Sequence, residues 1–320
     1  MRTVQSQVRD GPSWVRPVGL LLGFAADTAF GDPVRWHPVA GFGSVAAALE
    51  RRVYADRWAT GVGYTAALVG GAISLGLLVE RGRPMLRVAP TAAATWAVLG
   101  GSSLAGHGAA LARELAASDL EAARRRIPSL CGRDPASLDL AGLARAGTES
   151  LAENTSDAVV APLLWGAVAG VPGLLGYRAV NTLDAMVGYR SPRHLRFGWA
   201  SARLDDVANL GPARVTAALV TALAPGVGGT PRAALAAWRR DARGHPSPNA
   251  GPVEAAAAGA LGVGLGGSTV YRHGTEERPR LGSGPPPGPG DLRRAARLSR
   301  LVGAAAAVVA AGVGWARTRR

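Results

Sequence analysis

The sequence predicts an all-α, polytopic helical membrane protein with about five transmembrane helices (roughly four to seven) joined by cytoplasmic helical loops. Three observations carry this. Long uncharged runs recur at about the length needed to cross hydrocarbon. No stretch shows the recurring period-2 alternation of half-buried strands. The segments between the runs are rich in arginine, as membrane flanks are. Mean hydropathy is only +0.12, low for a chain wholly immersed in lipid, so sizeable loops outside the membrane are expected.

Residues 1–16 are polar. Residues 17–30 form an apolar run interrupted by Asp27 and followed by GDPVRWHP, where Asp32, Arg35 and His37 crowd into one turn. No cleavage site accompanies this run, so no signal peptide is expected. Residues 44–58 carry Arg51, Arg52 and Arg57 on an amphipathic helix. The first span is 61–79, 19 residues without a charge, against ~20 needed for a ~30 Å hydrocarbon core. Arg81, Arg83 and Arg87 follow it. Residues 88–112 read as a second span, small-residue rich and suited to close packing, with His107 as a packing residue. Residues 113–148 mix both charges and read as an extramembrane helical segment.

A third span falls at 158–180, interrupted by Pro162, Pro172 and glycines; broken helices at membrane depth are tolerated where they line a protein cavity. Residues 211–229 are the fourth span, and 231–246 an arginine-rich amphipathic segment. A soft Ala/Gly run follows to residue 270. Residues 274–291 (including GSGPPPGPG) read as a flexible Pro/Gly loop. The fifth span, 301–316, ends before Arg317, Arg319 and Arg320, which suggest a cytoplasmic C-terminus. The whole of 1–320 reads as one integral membrane domain, with 149–214 as its catalytic core.

Composition excludes several classes. All 36 basic residues are arginine. Without lysine there is no standard P-loop and no pyridoxal-phosphate Schiff base. The net charge of +14 is scattered over every loop, which suits anionic lipid and gives no nucleic-acid stripe. Cys131 is the only cysteine, so no disulfide or Cys-based metal site forms within one chain. The five histidines lack metal-ligand spacing.

The chemistry-bearing side chains concentrate in 149–214. Glu149, Glu153 and Asp157 are spaced i, i+4, i+8, so a helix would place three carboxylates on one face beside Asn154. Asn181 and Asp184 are at i, i+3; Asp205 and Asn209 are at i, i+4, with Asp206 alongside. Arg178, Arg203 and Arg214 punctuate the series. Like charges this close repel unless a cation lies between them, and an all-oxygen set of carboxylates and amides suits Mg²⁺ brought in with phosphate.

Five segments, GDPVRWHPVAGFG (31–43), ESLAENTSDAVVAPLLW (149–165), YRAVNTLDAMVGYR (177–190), FGWASARLDDVANLGPAR (197–214) and SPNAGPVEAAAAGALGVGLGG (247–267), together resemble the adenosylcobinamide-phosphate synthase family of cobalamin (vitamin B12) biosynthesis. They occur in that family's order across most of the chain. The resemblance implies a multi-pass protein of the cell membrane with its active site on the cytoplasmic side. It implies an ATP-dependent acid–amine (amide) ligase that joins the f propionate carboxylate of adenosylcobyric acid, a corrinoid, to (R)-1-aminopropan-2-ol or its O-phosphate. ATP and Mg²⁺ are the implied cofactors. Implied partners are membrane lipid and other membrane-bound cobalamin-assembly enzymes, with no nucleic acid.

A carboxylate does not condense with an amine at neutral pH without activation, which ATP supplies as an acyl phosphate. The site must hold polyphosphate and metal, align two substrates within ~3–3.5 Å and exclude water. On this reading Glu153, Asn154, Asp205, Asp206 and Asn209 hold Mg²⁺. Arg178, Arg203 and Arg214, with Asn181, hold nucleotide phosphate. Asp184, Asp157 and Glu149 are the catalytic acids, with Asp184 or Asp157 accepting the amine proton. Asp32, His37, Ser247 and Asn249 contact substrate. Two rivals use similar residues: a Mg²⁺-dependent intramembrane prenyltransferase and a transporter of a corrinoid or other small molecule.

Overall fold

Uncharged runs bounded by Gly, Pro and arginine become helices throughout. The computed structural model describes residues 12–32, 37–189, 191–271 and 274–318. The helices are α1 (Val15–Phe30), α2 (Pro38–Val53), α3 (Trp58–Val79), α4 (Val88–Val98), α5 (Gly101–Ala116), α6 (Leu120–Arg126) and α7 (Leu140–Thr155). After a π turn at Ser156–Val160 come α8 (Ala161–Val187), α9 (Trp199–Leu223), α10 (Pro231–Asp241), α11 (Ala250–Leu261) and α12 (Pro289–Thr318). One antiparallel hairpin, β1 (Leu265–Tyr271) and β2 (Gly274–Leu281), precedes α12. Among the described residues, four helical segments are long and apolar enough to cross a membrane: Trp58–Val79, Leu140–Val187, Trp199–Val227 and Pro289–Arg317. The protein is an all-α, polytopic membrane protein.

Contacts group the chain into two compact units. Unit 1 comprises 1–100, 161–209 and 306–320; unit 2 comprises 101–160 and 210–305. The boundaries fall inside helical segments or at the α4/α5 break.

In unit 1, α3 and α4 pack on α8, and α1 packs on α4. The α1–α4 contact is backbone-close because α1 carries a Gly-x-x-x-Gly pair: Gly19 meets Thr91 and Gly23 meets Thr95, where any Cβ would clash. Tyr64, Leu68, Tyr177, Leu183 and Phe197 belong to the buried core. Polar groups inside it are satisfied: Thr65 and Ser201 hydroxyls lie 2.8 Å apart, and Trp165 Nε1 donates to Ala208 O at 3.0 Å.

α8 is broken at Gly170 (φ 66°, ψ −148°), two residues before Pro172. This backbone region is essentially closed to residues with a Cβ. The groups around the break find partners from other elements. Arg16 donates to the carbonyls of Ala167 and Val168 at 3.3 and 3.4 Å, and Val171 N donates to Glu80 Oε1 at 2.9 Å. Irregular backbone beside a membrane span is tolerated when its groups are so satisfied.

In unit 2, α5 packs on α7, and α10 and α7 pack on α11. Asp139 caps α7 by accepting from Gly142 N at 2.7 Å, and Asp119 caps α6 from Ala122 N at 2.9 Å. Thr155 donates to Ser299 at 2.6 Å and Thr216 to Ser156 at 3.2 Å, pairing buried hydroxyls between helices.

Three expectations are corrected. The span at 88–112 is two helices, α4 and α5, because Leu99 is extended (ψ 157°) before Gly100 and Gly101. Residues 274–281 are not loop but β2, paired with β1; the irregular part is 282–288, and Pro289 opens α12. The expectation of three carboxylates on one α-helical face also changes. Glu149 and Glu153 lie on α7, whereas Asp157 lies in the π turn, whose wider winding rotates it off the α-helical register.

Candidate active site

The residues singled out from the sequence fall into two groups, one in each unit. In unit 2 the centre is Glu149 on α7. Its Oε2 accepts from Arg133, forming an ion pair whose side chains are 4% and 3% exposed. Its Oε1 accepts from Gly266 N at 2.7 Å. Gly266 (φ 80°) sits in a β-bulge at the start of β1, a conformation that suits glycine, and its carbonyl accepts from Arg145 at 2.7 Å. One helix thus holds both the N–H and the C=O of one bulge residue.

Glu254, in the middle of α11, is buried beside this pair, within electrostatic reach of Glu149, Glu153, Arg278 and Arg133. Burial first, then repulsion from Glu149 and Glu153, pushes its carboxyl well above the usual range; Arg278 and Arg133 pull it only part of the way back. His245 Nε2 lies 3.9 Å from Glu254 Oε2. Burial, with repulsion from Arg278, draws this imidazole below its usual value against the opposing pull of Ser247 and Glu149. Both shifts act against the charged forms of this pair. Among the described residues, Glu254 Oε1 and His245 Nε2 have no hydrogen-bond partner. Burial likewise raises the Cys131 thiol, keeping it protonated near Arg133.

Elsewhere in unit 2, Asn154 donates to Ser150 O and Oγ at 3.0 and 3.1 Å. Ser247 Oγ accepts from Asn249 N and Ala250 N at 3.3 and 3.1 Å, fixing the entry to α11. Asn249 Oδ1 accepts from Arg214 at 3.0 Å.

Unit 1 holds a second network, between α8 and α9. Tyr177 Oη donates to Asn209 Oδ1 at 2.8 Å, and Asn209 Nδ2 donates to Asp205 Oδ2 at 3.0 Å. Asn181 Nδ2 donates to Asp205 Oδ1 at 3.4 Å, and Arg178 Nη1 to Asn181 Oδ1 at 3.5 Å. Asn209 is 1% exposed, so its amide is committed to this network. Asp184 follows Asn181 by one turn and is half-buried. Arg203 and Asp206 pair at 3.2 Å on an exposed face, where such pairs contribute little. His37 caps α2, its Nδ1 accepting from Val39 N at 3.2 Å. Asp32 is half-buried; Arg35 lies outside the described residues.

Sequence reasoning passed over Arg133, Tyr177, His245, Glu254 and Arg278. Glu254 had a signal: it is the one charged residue between 250 and 271, and an acid in an apolar run is expensive. Arg133 and Arg278 had none, since their partners are distant in sequence.

Known proteins resemble this chain along most of its length. A family model described as CobD/Cbib protein matches residues 20–299. The chain belongs to the CobD/Cbib family. A "Cobalamin biosynthesis protein CobD" of Mycobacterium tuberculosis (strain ATCC 25618 / H37Rv) is 59% identical over 297 residues, 92% of this chain and 95% of that protein. Proteins of the same name from Chromobacterium violaceum and Geobacter metallireducens are 43% and 44% identical, over 88% and 82% of this chain and 90% and 85% of their own lengths. No solved structure matches the chain.

Proposed function

We propose that this chain is the amide ligase of cobalamin biosynthesis that joins the f propionate carboxylate of adenosylcobyric acid to aminopropanol or its O-phosphate, consuming ATP. Membership of the CobD/Cbib family carries the role in cobalamin biosynthesis; the step is our reading. One observation carries it. Four of the five segments of the resemblance contribute to the buried polar networks: Glu149 and Glu153 from the second, Tyr177 to Asp184 from the third, Asp205 and Asn209 from the fourth, Asn249 and Glu254 from the fifth. Buried acids in a membrane protein are costly and are usually kept for chemistry.

The unit 1 network fits a nucleotide-borne cation. Among the described residues no three His, Cys, Asp or Glu side chains are grouped to hold a metal, so no all-protein cage is built. Mg²⁺ generally needs only one or two carboxylates beside phosphates, and Asp205, flanked by Asn181 and Asn209, offers hard oxygen donors. Bound Mg²⁺–ATP supplies the activation of the propionate carboxylate. Arg178 would neutralise phosphate oxygens through its planar fork. Tyr177 and Asn209 hold Asp205 in one orientation. Asp184 would take the proton of the incoming amine. Asp32 and His37 would meet the aminopropanol phosphate.

The test is the full chain in detergent with adenosylcobyric acid, either amine, ATP and Mg²⁺. The expected result is product of the amide's mass with matching ADP release. Asp205→Asn should lower kcat/KM by about 10–100-fold, the worth of a hydrogen bond to a charged group. No amide with either amine would remove the ligase reading; full activity in the variant would remove Asp205 from the site.

A further inference from the structure

We infer that unit 1 carries an interfacial site for the phosphate of an anionic phospholipid headgroup, at the end of α3 and apart from the networks above. A polar pocket of about 220 Å³ is lined by Arg16, Glu80, Arg87, Thr91 and Arg317 among others. Three guanidinium groups face one carboxylate there, an excess of two positive charges. Glu80 is already engaged by Val171 N, and Arg16 holds the carbonyls of Ala167 and Val168. Arg87 is held in place by its Nε donating to Gly82 O at 3.1 Å. Guanidinium groups so held match the bidentate geometry of phosphate.

Its place sets the source of the anion. Glu80 directly follows the span Trp58–Val79, and Arg317 closes the span Pro289–Arg317, so the pocket lies at the water edge of the hydrocarbon. Trp14 and Trp315 are each 44% exposed in the same unit, as interfacial tryptophans are. Met85 and Leu86, on the short 3₁₀ turn after α3, are 60% and 68% exposed, apolar side chains beside a charged pocket. Acyl chains would cover them. Arg81 and Arg83 add positive charge at this end of the span. The volume is below the roughly 300–1,000 Å³ of pockets that enclose drug-sized ligands. It suits a headgroup phosphate rather than a nucleotide.

The experiment uses the delipidated full chain in detergent, titrated with short-chain phosphatidylglycerol, short-chain phosphatidylcholine or inorganic phosphate, reading the thermal midpoint. Phosphatidylglycerol should raise the midpoint, and the other two should not. Arg87→Gln with Arg317→Gln should weaken phosphatidylglycerol about 25-fold, about fivefold per arginine. Should the double variant fold poorly, Arg317→Gln alone, on an exposed side chain, should still lose about fivefold. Equal shifts with phosphatidylcholine would remove charge recognition. An equal shift with inorganic phosphate would make free phosphate the ligand and overturn the lipid assignment. Undiminished affinity in the variants would remove the site.

Discussion

Replacing Arg133 with Met isolates the worth of the buried pair at the centre of unit 2. Arg133 and Glu149 are 4% and 3% exposed at the side chain, so solvent screens neither. Without the guanidinium, Glu149 keeps a single hydrogen bond, from Gly266 N, with Glu153 and Glu254 nearby. Removing one partner of a buried ion pair costs about 3–5 kcal/mol. For a body of 150–250 residues that corresponds to roughly 6–20 °C in the thermal midpoint, at about 2–4 °C per kcal/mol. The double variant Arg133→Met with Glu149→Gln removes both charges while leaving an oxygen for Gly266 N. It should recover more than half of the loss. Scanning fluorimetry of the full chain in detergent at constant pH and lipid content reads both. A single variant within about 2 °C of wild type, or a double variant no better than the single, would refute the argument from uncompensated burial.

Two further outcomes follow from local geometry. Gly170→Ala forces a Cβ into φ 66°, ψ −148° and towards the Glu80 carboxylate, so it should destabilise by about 1–3 kcal/mol; an unchanged midpoint would show that the α8 break relaxes without strain. Glu50 accepts from His194 Nε2 at 3.1 Å and from Arg193 at 3.0 Å. Burial alone would raise its carboxyl, but the bonds from His194 and Arg193 outweigh this and hold it below the usual range. A depressed folded value means a stabilisation present above the unfolded carboxylate value, about 4.3, and lost as pH falls through the folded one. Glu50→Gln should therefore lower the midpoint at pH 7 by a surface-pair amount, about 0.2–1 kcal/mol, and converge with wild type in acid. A gap that persists at low pH would contradict it.

The helical membrane class was legible because span-length uncharged runs have few other solutions in a single chain. The run at 61–79 lies within α3, and that at 211–229 overlaps α9. The run at 88–112 misled because apolarity reports burial and not continuity; Gly100 and Gly101 break it where the two units divide. The hairpin was hidden for a different reason. Its second strand, GTEERPRL, is charged, and its first begins with a glycine bulge, so neither shows alternating apolarity. In the site, one pair of neighbours along a helix was readable: Asp205 with Asn209. Arg133 and Glu254 were not, because the charge that gives each its meaning comes from another element, and one sequence carries no record of that pairing.

A two-stranded ribbon has little stability of its own in water. Here its first strand is hooked at Gly266 by two side chains one helical turn apart, Glu149 taking the amide hydrogen and Arg145 the carbonyl oxygen. The ribbon's order is thus on loan from helix α7. Whatever draws Glu149 away slackens the strand as well, so the seating of one buried side chain on α7 and the posture of the ribbon form a single mechanical linkage.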